Sequence, residues 1–570
     1  MHKAETFFQW GAQANNVVTS YQAKPFGGDQ GLAYHLTSGF AAYLKTPKNA
    51  HFDLEPGRVI TFNADKLSKS GKWFAYKALA AWSAVSGISF KKVAFSKSDI
   101  RFDDAQKGAY SVNYYKGSEI VKAHINVSKD WIAGDAYKLV SYGYQTYLHE
   151  LGHALGLGHP GNYNGHGSFH KHAKFADDSW QSSVMSYFSQ TENPNVVGSK
   201  AYVVTPMSAD IHAIQNLYGV PSGAKKVNAG NTIWGVHSNA AGPAKLFSKT
   251  KYVGAMTVFD QGGIDVLKFT HTLKDQKISL SPGSFSNVRG KYKNVKIEKK
   301  TIIENIKSGA GDDQLFGNWV ANKIWAGNGN DLVRSWRGND MVNGLGGNDR
   351  IFGGDGNDRL YGADGNDYLV GDGGSDKIYG GNHADTVYGS TGHDLISGGR
   401  GNDHLYGGDQ NDQLYGNTGS DFLIGGNGND QLYGGDHTDF LYGSAGNDVL
   451  VGGNGNDRLY GGDHDDQLGG SSGDDILSGG SGADLLTGGL GADVFEFTAG
   501  NDTIVDFNRS ERDTIRIKAS LVATTDAAQF LIDNAEIVNG NAVITLDNGD
   551  SLTVNGVTGL TALADDIQFF

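Results

Sequence analysis

The chain has 570 residues, 39% of them hydrophobic, with 27 Phe, 26 Tyr and 9 Trp, which is enough for roughly two to four domains with hydrophobic cores. It has no cysteine, which excludes a disulfide framework and thiol catalysis, and no apolar run long enough to predict a membrane span. The net charge of −14 is uneven, because residues 308–496 carry 30 acidic and 8 basic side chains against 32 and 40 elsewhere; this region is expected to attract cations and excludes nucleic acid as a partner.

Residues 149–160, HELGHALGLGHP, form the first motif that carries chemistry. His149 and His153 are four residues apart, so on a helix their imidazoles point the same way and can share a metal ion. Gly156 allows the helix to end and the chain to turn, which brings His159 back as a third ligand. Three neutral imidazoles leave Zn²⁺ one open position for water, with Glu150 beside it as general base. The alternative is a helix with surface histidines, but the full HExxHxxGxxH spacing is rare by chance.

Nine-residue units run without a gap from Ser308 to Glu496, which makes 21 units, of which GGDGNDRLY (353–361) is typical. The sixth position is Asp in 20 of the 21, with Asn322 the exception, and the eighth is always apolar. Glycines at positions one, two and four permit a tight loop whose carbonyls, with the Asp carboxylate, suit Ca²⁺. The last three residues are predicted as a short strand, and two units as one turn of a parallel β-roll. The alternative is a glycine-rich disordered linker.

A longer period of 27 residues lies inside this array. Non-glycine residues occupy position four at His383, Gln410, His437 and His464. The glycine of position two is replaced at the same 27-residue spacing, by Ala363, Ser390, Asn417, Ser444 and Ser471. A side chain at position four penalises positive-φ backbone, so we expect weaker calcium sites at those loops. The alternative is neutral drift that was copied by duplication of a three-unit block.

The array is expected to depend on calcium for its folding. One buried aliphatic side chain per nine residues cannot offset the entropy of ordering the backbone, about 1–2 kcal/mol per residue. The excess of negative charge adds repulsion. We therefore predict that the array is largely unfolded without Ca²⁺ and folds when Ca²⁺ binds.

The chain resembles the serralysins, a group of metzincin zinc endopeptidases. HELGHALGLGHP is similar to the metzincin active-site motif, and SSVMSYF at 182–188 is similar to the Met-turn, with Met185 as its methionine. Pro160 after the third histidine, Tyr187 two residues after the methionine, and the nonapeptide array resemble serralysins in particular. The resemblance implies an α+β metzincin catalytic domain, followed by an all-β calcium-binding parallel β-roll with a C-terminal β cap.

The resemblance also implies the cofactors and the roles of the site residues. One catalytic Zn²⁺ is expected on His149, His153 and His159, with Glu150 as the catalytic base, and several structural Ca²⁺ ions are expected. Tyr187 is expected to be both a switchable zinc ligand and a catalytic residue that stabilises the oxyanion.

Further segments resemble family elements. Residues 74–102 resemble the first helix and the following strand, and AHINV at 123–127 resembles the edge strand that pairs with an extended peptide substrate. Residues 208–219 resemble the helix beneath the Met-turn, with Ser208 as its N-cap. Segments 260–265 and 302–313 resemble the calcium-ligand segments before the roll.

The expected calcium ligands come from those two segments and from the repeats. They are Asp260, Gly262, Gly263, Asp265, Glu304, Gly309, Gly311, Asp313, Gly327, Gly329, Asp331, Asp340, Asp349, Gly354, Gly356, Asp358, Asp367, Asp376, Asp385, Asp394, Gly399, Gly401, Asp403, Asp412, Asp421, Gly426, Gly428, Asp430, Asp439, Asp448, Gly453, Gly455, Asp457, Asp466, Asp475, Gly480, Gly482, Asp484 and Asp493.

Four parts are predicted along the chain. Residues 1–222 are a zinc metalloprotease catalytic domain with a short propeptide at its start, and 223–307 are a β-rich segment that leads into the roll. Residues 308–496 are the roll of 21 repeats, and 497–570 are a C-terminal β cap with a secretion signal in ADDIQFF.

The expected partners follow from this organisation. MHKAETFFQW lacks the apolar segment of a signal peptide, and an uncleaved C-terminal signal implies the type I secretion apparatus and an extracellular protein. The resemblance implies protein or peptide substrates and allows a periplasmic protein inhibitor; a monomer is expected. The predicted function is that of a secreted zinc- and calcium-dependent endopeptidase. The alternative is a calcium-dependent surface or adhesion RTX protein with an inactive protease domain.

Overall fold

A computed structural model describes residues 24–54, 59–223, 226–248, 254–524 and 526–570. The chain divides into two compact units, Met1–Gly309 and Ala310–Phe570. The propeptide expected at the start of the chain lies outside the described residues, and the predicted domain boundaries stay predictions. In the ranges described, no helix combines the length and the apolar character needed to cross a membrane.

The first unit contains a five-stranded mixed sheet. Its strands are β1 (Ile60–Asn63), β2 (Phe90–Lys92), β3 (Ile100–Asp103), β4 (Ala109–Lys116) and β5 (Glu119–Val127). The order is β2–β1–β3–β5–β4, with β4 antiparallel to β5 and the other pairs parallel. Buried residues alternate with more exposed ones along β3, as the two-residue period of a strand requires.

The prediction that AHINV forms the edge strand is wrong. These residues lie in β5, whose two sides pair with β3 and β4, so that its backbone has no open edge. The strand at this end of the sheet is β4. Alternation of apolar and polar residues identifies a strand but carries no information about its place in the strand order.

Helices cover the sheet and carry the histidine motif. They are α1 (Gly28–Tyr34), α2 (Phe40–Leu44), α3 (Lys69–Ser86), α4 (Tyr142–Ala154), α5 (Phe169–His172) and α6 (Ser208–Tyr218), with a π-helical turn at His35–Gly39 and 3-10 turns at Phe95–Lys97, Lys129–Ile132 and Gly242–Ser248. The indole N–H of Trp82 in α3 donates to the carbonyl of Leu148 in α4, at 3.0 Å. This contact fixes α4 against the longest helix of the unit.

The cap of α6 differs from the prediction. The helix begins at Ser208, so Met207 occupies the N-cap position. The carboxylate of Asp210, in the first turn, accepts the N–H of Met207 at 2.8 Å. A carboxylate that reaches back from inside the helix therefore satisfies the N–H group at this end.

The rest of the first unit is β-rich, with short strands at Ile233–Gly235, Met256–Val258, Val266–Lys268, Lys277–Ser279, Phe285–Ser286, Val295–Ile297 and Asn305–Lys307. The second unit begins with the strands of the array. They are Gln314–Asn318, Lys323–Asn328, Leu332–Arg337, Met341–Gly346, Arg350–Asp355, Arg359–Asp364, Tyr368–Gly373, Lys377–Asn382, Thr386–Thr391, Leu395–Arg400, His404–Asp409, Gln413–Thr418, Phe422–Asn427, Gln431–Asp436, Phe440–Ala445, Val449–Asn454, Arg458–Asp463, Gln467–Ser472, Ile476–Ser481, Leu485–Leu490 and Val494–Phe497.

Successive strands of the array alternate between two parallel sheets. Each strand therefore pairs with the strand 18 residues away, as Leu360 with Ile378 and Leu405 with Leu423. Two nonapeptides therefore make one turn of the parallel β-roll. This confirms the predicted fold class, an α+β domain followed by an all-β roll. The apolar eighth position of each unit is buried, so these side chains form the core of the roll.

The strands are longer than the three residues predicted. Arg359–Asp364 covers positions seven to nine of one unit and one to three of the next. Pairing continues past the tyrosine because the next unit keeps the 18-residue register, with Ala363 opposite Gly381.

Positive φ occurs at positions two and four even where a side chain is present. At position four, φ is 78° for His383 and Gln410, 84° for His437 and 81° for His464. At position two, the five replacements of the 27-residue period have φ of 76° to 87°. The left-handed backbone assumed from the glycines is therefore present at these positions, and the weaker calcium binding of those loops stays a prediction.

The C-terminal segment closes the roll with strands and two short helices. Strands lie at Asn501–Ile504, Thr514–Ile517, Ala535–Val538, Asn541–Thr545, Ser551–Val554 and Ile567–Phe569, and helices at Ala527–Asn534 and Leu560–Leu563. The last strand pairs in parallel with Thr514–Ile517, which itself continues one sheet of the roll.

Candidate active site

Three imidazoles converge at the C-terminal end of α4. The Nε2 atoms of His149 and His153 are 3.0 Å apart, and that of His159 lies 3.3 Å from the first and 3.2 Å from the second. Zinc with bonds of about 2.0–2.1 Å places tetrahedral ligands about 3.3 Å apart, so the triangle fits this ion. All three side chains are buried, and they are the one group of three or more metal-ligating side chains that converges in the described ranges.

Backbone carbonyls set the tautomer of the two helical histidines. Nδ1 of His149 lies 2.9 Å from the carbonyl oxygen of Val184, and Nδ1 of His153 lies 2.7 Å from that of Leu157. A carbonyl can only accept, so Nδ1 carries the hydrogen and Nε2 keeps its lone pair for a metal. Burial lowers the pKa of all three imidazoles, that of His149 to about 4, so they are neutral at pH 7.

Glu150 is fully buried beside the first of these histidines. Neither of its carboxylate oxygens has a hydrogen-bond partner among the described residues. Burial raises its pKa well above the usual range. A carboxylate that the protein leaves unpaired at this position can serve as a proton acceptor for a substrate or water.

Two glycines of the motif are required by close contacts. A Cβ on Gly152 would lie 2.5 Å from the sulfur of Met185, which is buried beneath α4. Gly156 has φ +102°, and a Cβ there would overlap with the carbonyl oxygen of Ala50. The helix ends where Gly156 turns the chain, as predicted, and the Met-turn packs against the helix because Gly152 has no side chain.

The Met-turn is held by Asp210 of α6. Its carboxylate accepts the Ser183 hydroxyl at 2.5 Å and the Val184 N–H at 2.8 Å. The Ser183 oxygen in turn accepts the N–H of Met185 at 3.0 Å. Burial raises the pKa of Asp210 to about 6. Because the carbonyl of Val184 contacts His149, this network orients a predicted zinc ligand.

Tyr187 lies beside the three imidazoles. Its ring centroid is 4.5 Å from that of His159 and 5.9 Å from that of His149. Its hydroxyl accepts the N–H of Gly165 at 3.2 Å. Tyr187 is thus within the predicted site, and its role as a zinc ligand stays a prediction.

In the roll, the sixth-position aspartates form a hydrogen-bonded ladder on each side. The N–H of Asp358 donates to Oδ1 of Asp376 at 2.7 Å, and the N–H of Asp376 donates to Oδ1 of Asp394 at 2.8 Å. From Asp331 onward, Oδ2 of each of these aspartates is buried without a hydrogen-bond partner. The backbone N–H of Asn322 also donates to Oδ1 of Asp340, at 2.7 Å, but its side-chain amide bonds with Asn318 instead of joining the ladder.

These buried oxygens fit a hard divalent cation. A Cβ on Gly353, at position one, would overlap with Oδ2 of Asp358 and would lie 2.8 Å from the carbonyl oxygen of Gly371. Position one therefore has to be small to leave space beside the carboxylate. Carboxylate and carbonyl oxygens are the ligands that Ca²⁺ prefers. From Gly327 onward, the glycines predicted as ligands at positions two and four have positive φ.

The two segments before the roll that are predicted to bind calcium, 260–265 and 302–313, also bring carboxylates together. The N–H of Asp265 donates to Oε2 of Glu304 at 2.6 Å, and the N–H of Gly262 donates to Oδ1 of Asp260 at 3.0 Å. Oδ2 of Asp265 is buried without a partner, and burial raises the pKa of both aspartates. Gly263 has φ +124°. The ligand roles here, and those of Gly309, Gly311 and Asp313, stay predictions.

Three polar residues that support the centre are absent from the sequence prediction. They are Asp210, Asn113 of β4, whose amide donates to the carbonyl of His153 at 2.7 Å, and Asp178, which binds Tyr163. Each acts on a residue far away in the sequence, so no local spacing marks it. Only Asp210 could have been identified from the sequence, because an acidic residue in the first turn of a helix is typical of a helix cap.

Known protein families match two parts of the chain. Residues 58–165 match the family described as Matrixin. Six segments match the RTX calcium-binding nonapeptide repeat (4 copies), at 308–342, 343–378, 379–414, 415–450, 442–477 and 469–504.

Similar proteins include the Metallopeptidase AprA of Pseudomonas marginalis, 33% identical over 322 residues that cover 52% of this chain and 66% of that protein. The Metalloprotease AprA of Pseudomonas entomophila (strain L48) is 40% identical over 189 residues, which cover 32% and 38%. The Serralysin of Proteus mirabilis is 31% identical over 282 residues, which cover 46% and 57%. The chain thus spans less than two thirds of the length of the curated relatives it matches.

The sheet, the histidine triad and the solenoid define the class: a metzincin domain of the matrixin type followed by RTX repeats. Within that class, the chain is similar to the serralysin-type RTX metzincins. The cofactors of this type are a catalytic zinc ion and several calcium ions in the repeats.

Proposed function

We propose that this protein is a secreted zinc- and calcium-dependent endopeptidase that hydrolyses peptide bonds in proteins. The observation that carries the proposal is the triangle of buried Nε2 atoms, 3.0–3.3 Å apart, beside the unpaired carboxylate of Glu150. A buried carboxylate without a partner is costly, so its presence beside a ligand set favours a chemical role over a packing role.

The residues of the site can divide the reaction between them. Zinc held by the three imidazoles would supply a Lewis acid that polarises the scissile carbonyl and makes water more acidic. Glu150 would take a proton from the attacking water and pass it to the leaving amine. The hydroxyl of Tyr187, once released from the N–H of Gly165, would donate a hydrogen bond to the oxyanion.

The substrate is expected to bind as an extended strand. In the five-stranded sheet, β4 is the last strand beyond β5, and Asn113 in β4 is hydrogen-bonded to the carbonyl of His153. A peptide that pairs with the outer edge of β4 would therefore lie close to the histidine triad. This pairing uses backbone groups, so it would accept many sequences.

The roll supports a role outside the cell. Extracellular-type calcium sites bind at roughly 10⁻⁴–10⁻³ M, far above cytosolic calcium levels. The array would therefore stay unfolded during type I export and fold once it meets external calcium.

The test is proteolysis of casein and of a quenched peptide by the calcium-loaded protein. The wild type should cleave both, lose activity with a zinc chelator, and regain it with added zinc. Glu150→Gln should keep its zinc and lose about 10²–10⁴-fold in kcat, whereas the exposed control Glu536→Gln should not change. Wild-type protein that holds one zinc per chain and cleaves nothing would favour the surface-protein alternative.

A further inference from the structure

Asp178 is a buried carboxylate that the proposed mechanism does not use. It has no exposed surface and lies in the segment between His159 and the Met-turn. Both of its oxygens are within hydrogen-bond distance of the Tyr163 hydroxyl, at 3.0 and 3.1 Å. An ionisable group in such a place requires partners to offset its desolvation.

Tyr163 connects this carboxylate to the metal centre. Its ring centroid is 5.1 Å from that of His159 and 4.8 Å from that of Tyr187. One residue therefore contacts both the third predicted zinc ligand and the predicted oxyanion donor.

The other side of the triad has a parallel arrangement. There, Asp210 holds the N–H of Val184, and the carbonyl of Val184 holds Nδ1 of His149. Each side thus runs from a buried aspartate, through one intermediate residue, to a histidine. Groups that orient a ligand in this way usually tune metal affinity and ligand basicity.

We propose that Asp178 is a positioning residue of the metal centre: by holding the Tyr163 hydroxyl, it fixes the ring against which His159 and Tyr187 are oriented. The kinetic part of this inference rests on the proposed function. Residues that support a ligand in this way typically cost 10–100-fold in metal affinity or activity when they are changed.

Two substitutions weaken or remove the contact with little change in volume. Asp178→Asn keeps the shape of the side chain but weakens its acceptor, and Tyr163→Phe removes only the hydroxyl. Asp177→Asn is the matched control, because the neighbouring carboxylate accepts the N–H groups of Gly27 and Gly28 instead. All variants are made in the full-length, calcium-loaded protein.

Three measurements separate positioning from mere folding: zinc release to a competing chelator, the visible spectrum after Co²⁺ substitution, and kcat apart from KM. Asp178→Asn and Tyr163→Phe should each weaken zinc binding about 10–100-fold, shift the Co²⁺ spectrum, and lower kcat with KM unchanged. The double variant should lose no more than the worse single variant, because both act through one hydrogen bond. The control should match the wild type.

Wild-type zinc retention and Co²⁺ spectra in both variants would overturn the proposal, and so would additive losses in the double variant. If Asp178→Asn does not fold, Tyr163→Phe decides the question alone. If the wild type has no peptidase activity, the proposed function fails, while the zinc and Co²⁺ measurements still decide the role of Asp178.

Discussion

Chelation of calcium at neutral pH should unfold the nonapeptide array of the full-length protein. Within the array, one Oδ2 atom in every nine residues, from Asp331 to Asp493, is buried without a hydrogen-bond partner. An unpaired buried polar group costs at least about 1 kcal/mol, and more when charged, so the whole array would carry a penalty of about 20 kcal/mol or more. This exceeds the 5–15 kcal/mol by which a folded domain is typically stable.

The same carboxylates predict how the chelated protein responds to pH. Burial raises the pKa of Asp367 to about 6, of Asp421 to about 7 and of Asp439 to about 8. In an unfolded chain, the pKa of Asp is about 3.9. A pKa that is higher in the folded state stabilises the fold at low pH, and this stability is lost as the pH rises through about 6–8. Acidification of the chelated protein towards about pH 5 should therefore restore β-structure.

The assay is far-UV circular dichroism together with amide hydrogen exchange of the array, in chelator and then with Ca²⁺ added back. Protection should disappear in chelator and return cooperatively with Ca²⁺, and Mg²⁺ at the same concentration should restore less, because it requires near-ideal octahedral geometry. Native protection in chelator at neutral pH would refute the reasoning, because the buried carboxylates would then be tolerated without a cation. A fall of β-structure on acidification would refute the pH argument.

Substitutions test the site and the roll separately. Tyr187→Phe should keep its zinc by metal analysis and lower kcat about 10²–10³-fold in steady-state kinetics, as expected for one lost oxyanion donor; an unchanged kcat would exclude that role. Leu432→Ala should destabilise the calcium-loaded roll by about 2–5 kcal/mol in denaturant, because Leu432 is fully buried. His437→Gly should stabilise the roll by about 1 kcal/mol, because φ is 84° there. Gly435→Ala should destabilise it, because the new Cβ would overlap with the carbonyl oxygen of Asn417; changes of the same sign for these two would contradict the argument.

The features that could be predicted from the sequence are those that depend on local spacing. His149, His153 and His159 fall within eleven residues of one helix and the turn after it, so helical geometry and one glycine are enough to predict their convergence. The roll repeats every nine residues, so one unit already determines the register of every strand.

Features set by distant contacts could not be predicted in this way. AHINV lies inside the sheet because β4 pairs with the side of β5 that would otherwise be open. The alternation of apolar and polar residues along β5 would be the same in an inner strand and in an edge strand. The array strands extend to six residues because the backbone of the neighbouring turns forms hydrogen bonds with the loop backbone. The sequence of a single unit does not reveal these contacts between turns. Asn113 and Asp178 support the centre through partners 40 and 15 residues away.

The buried carboxylates fall into two kinds: those whose oxygens have hydrogen-bond partners in the protein, and those with an oxygen that has none. Asp210 accepts hydrogen bonds on both oxygens, and Asp178 is held by a tyrosine hydroxyl, so the protein itself compensates their burial. Glu150 and the array aspartates such as Asp358 keep at least one buried oxygen without a protein partner. Because burial without compensation is costly, we predict that those oxygens meet something that the chain does not supply: a transferable proton at Glu150 and a cation at Asp358. Neutral substitutions should therefore act differently, with loss of turnover at Glu150, loss of calcium binding at Asp358, and altered zinc affinity at Asp178.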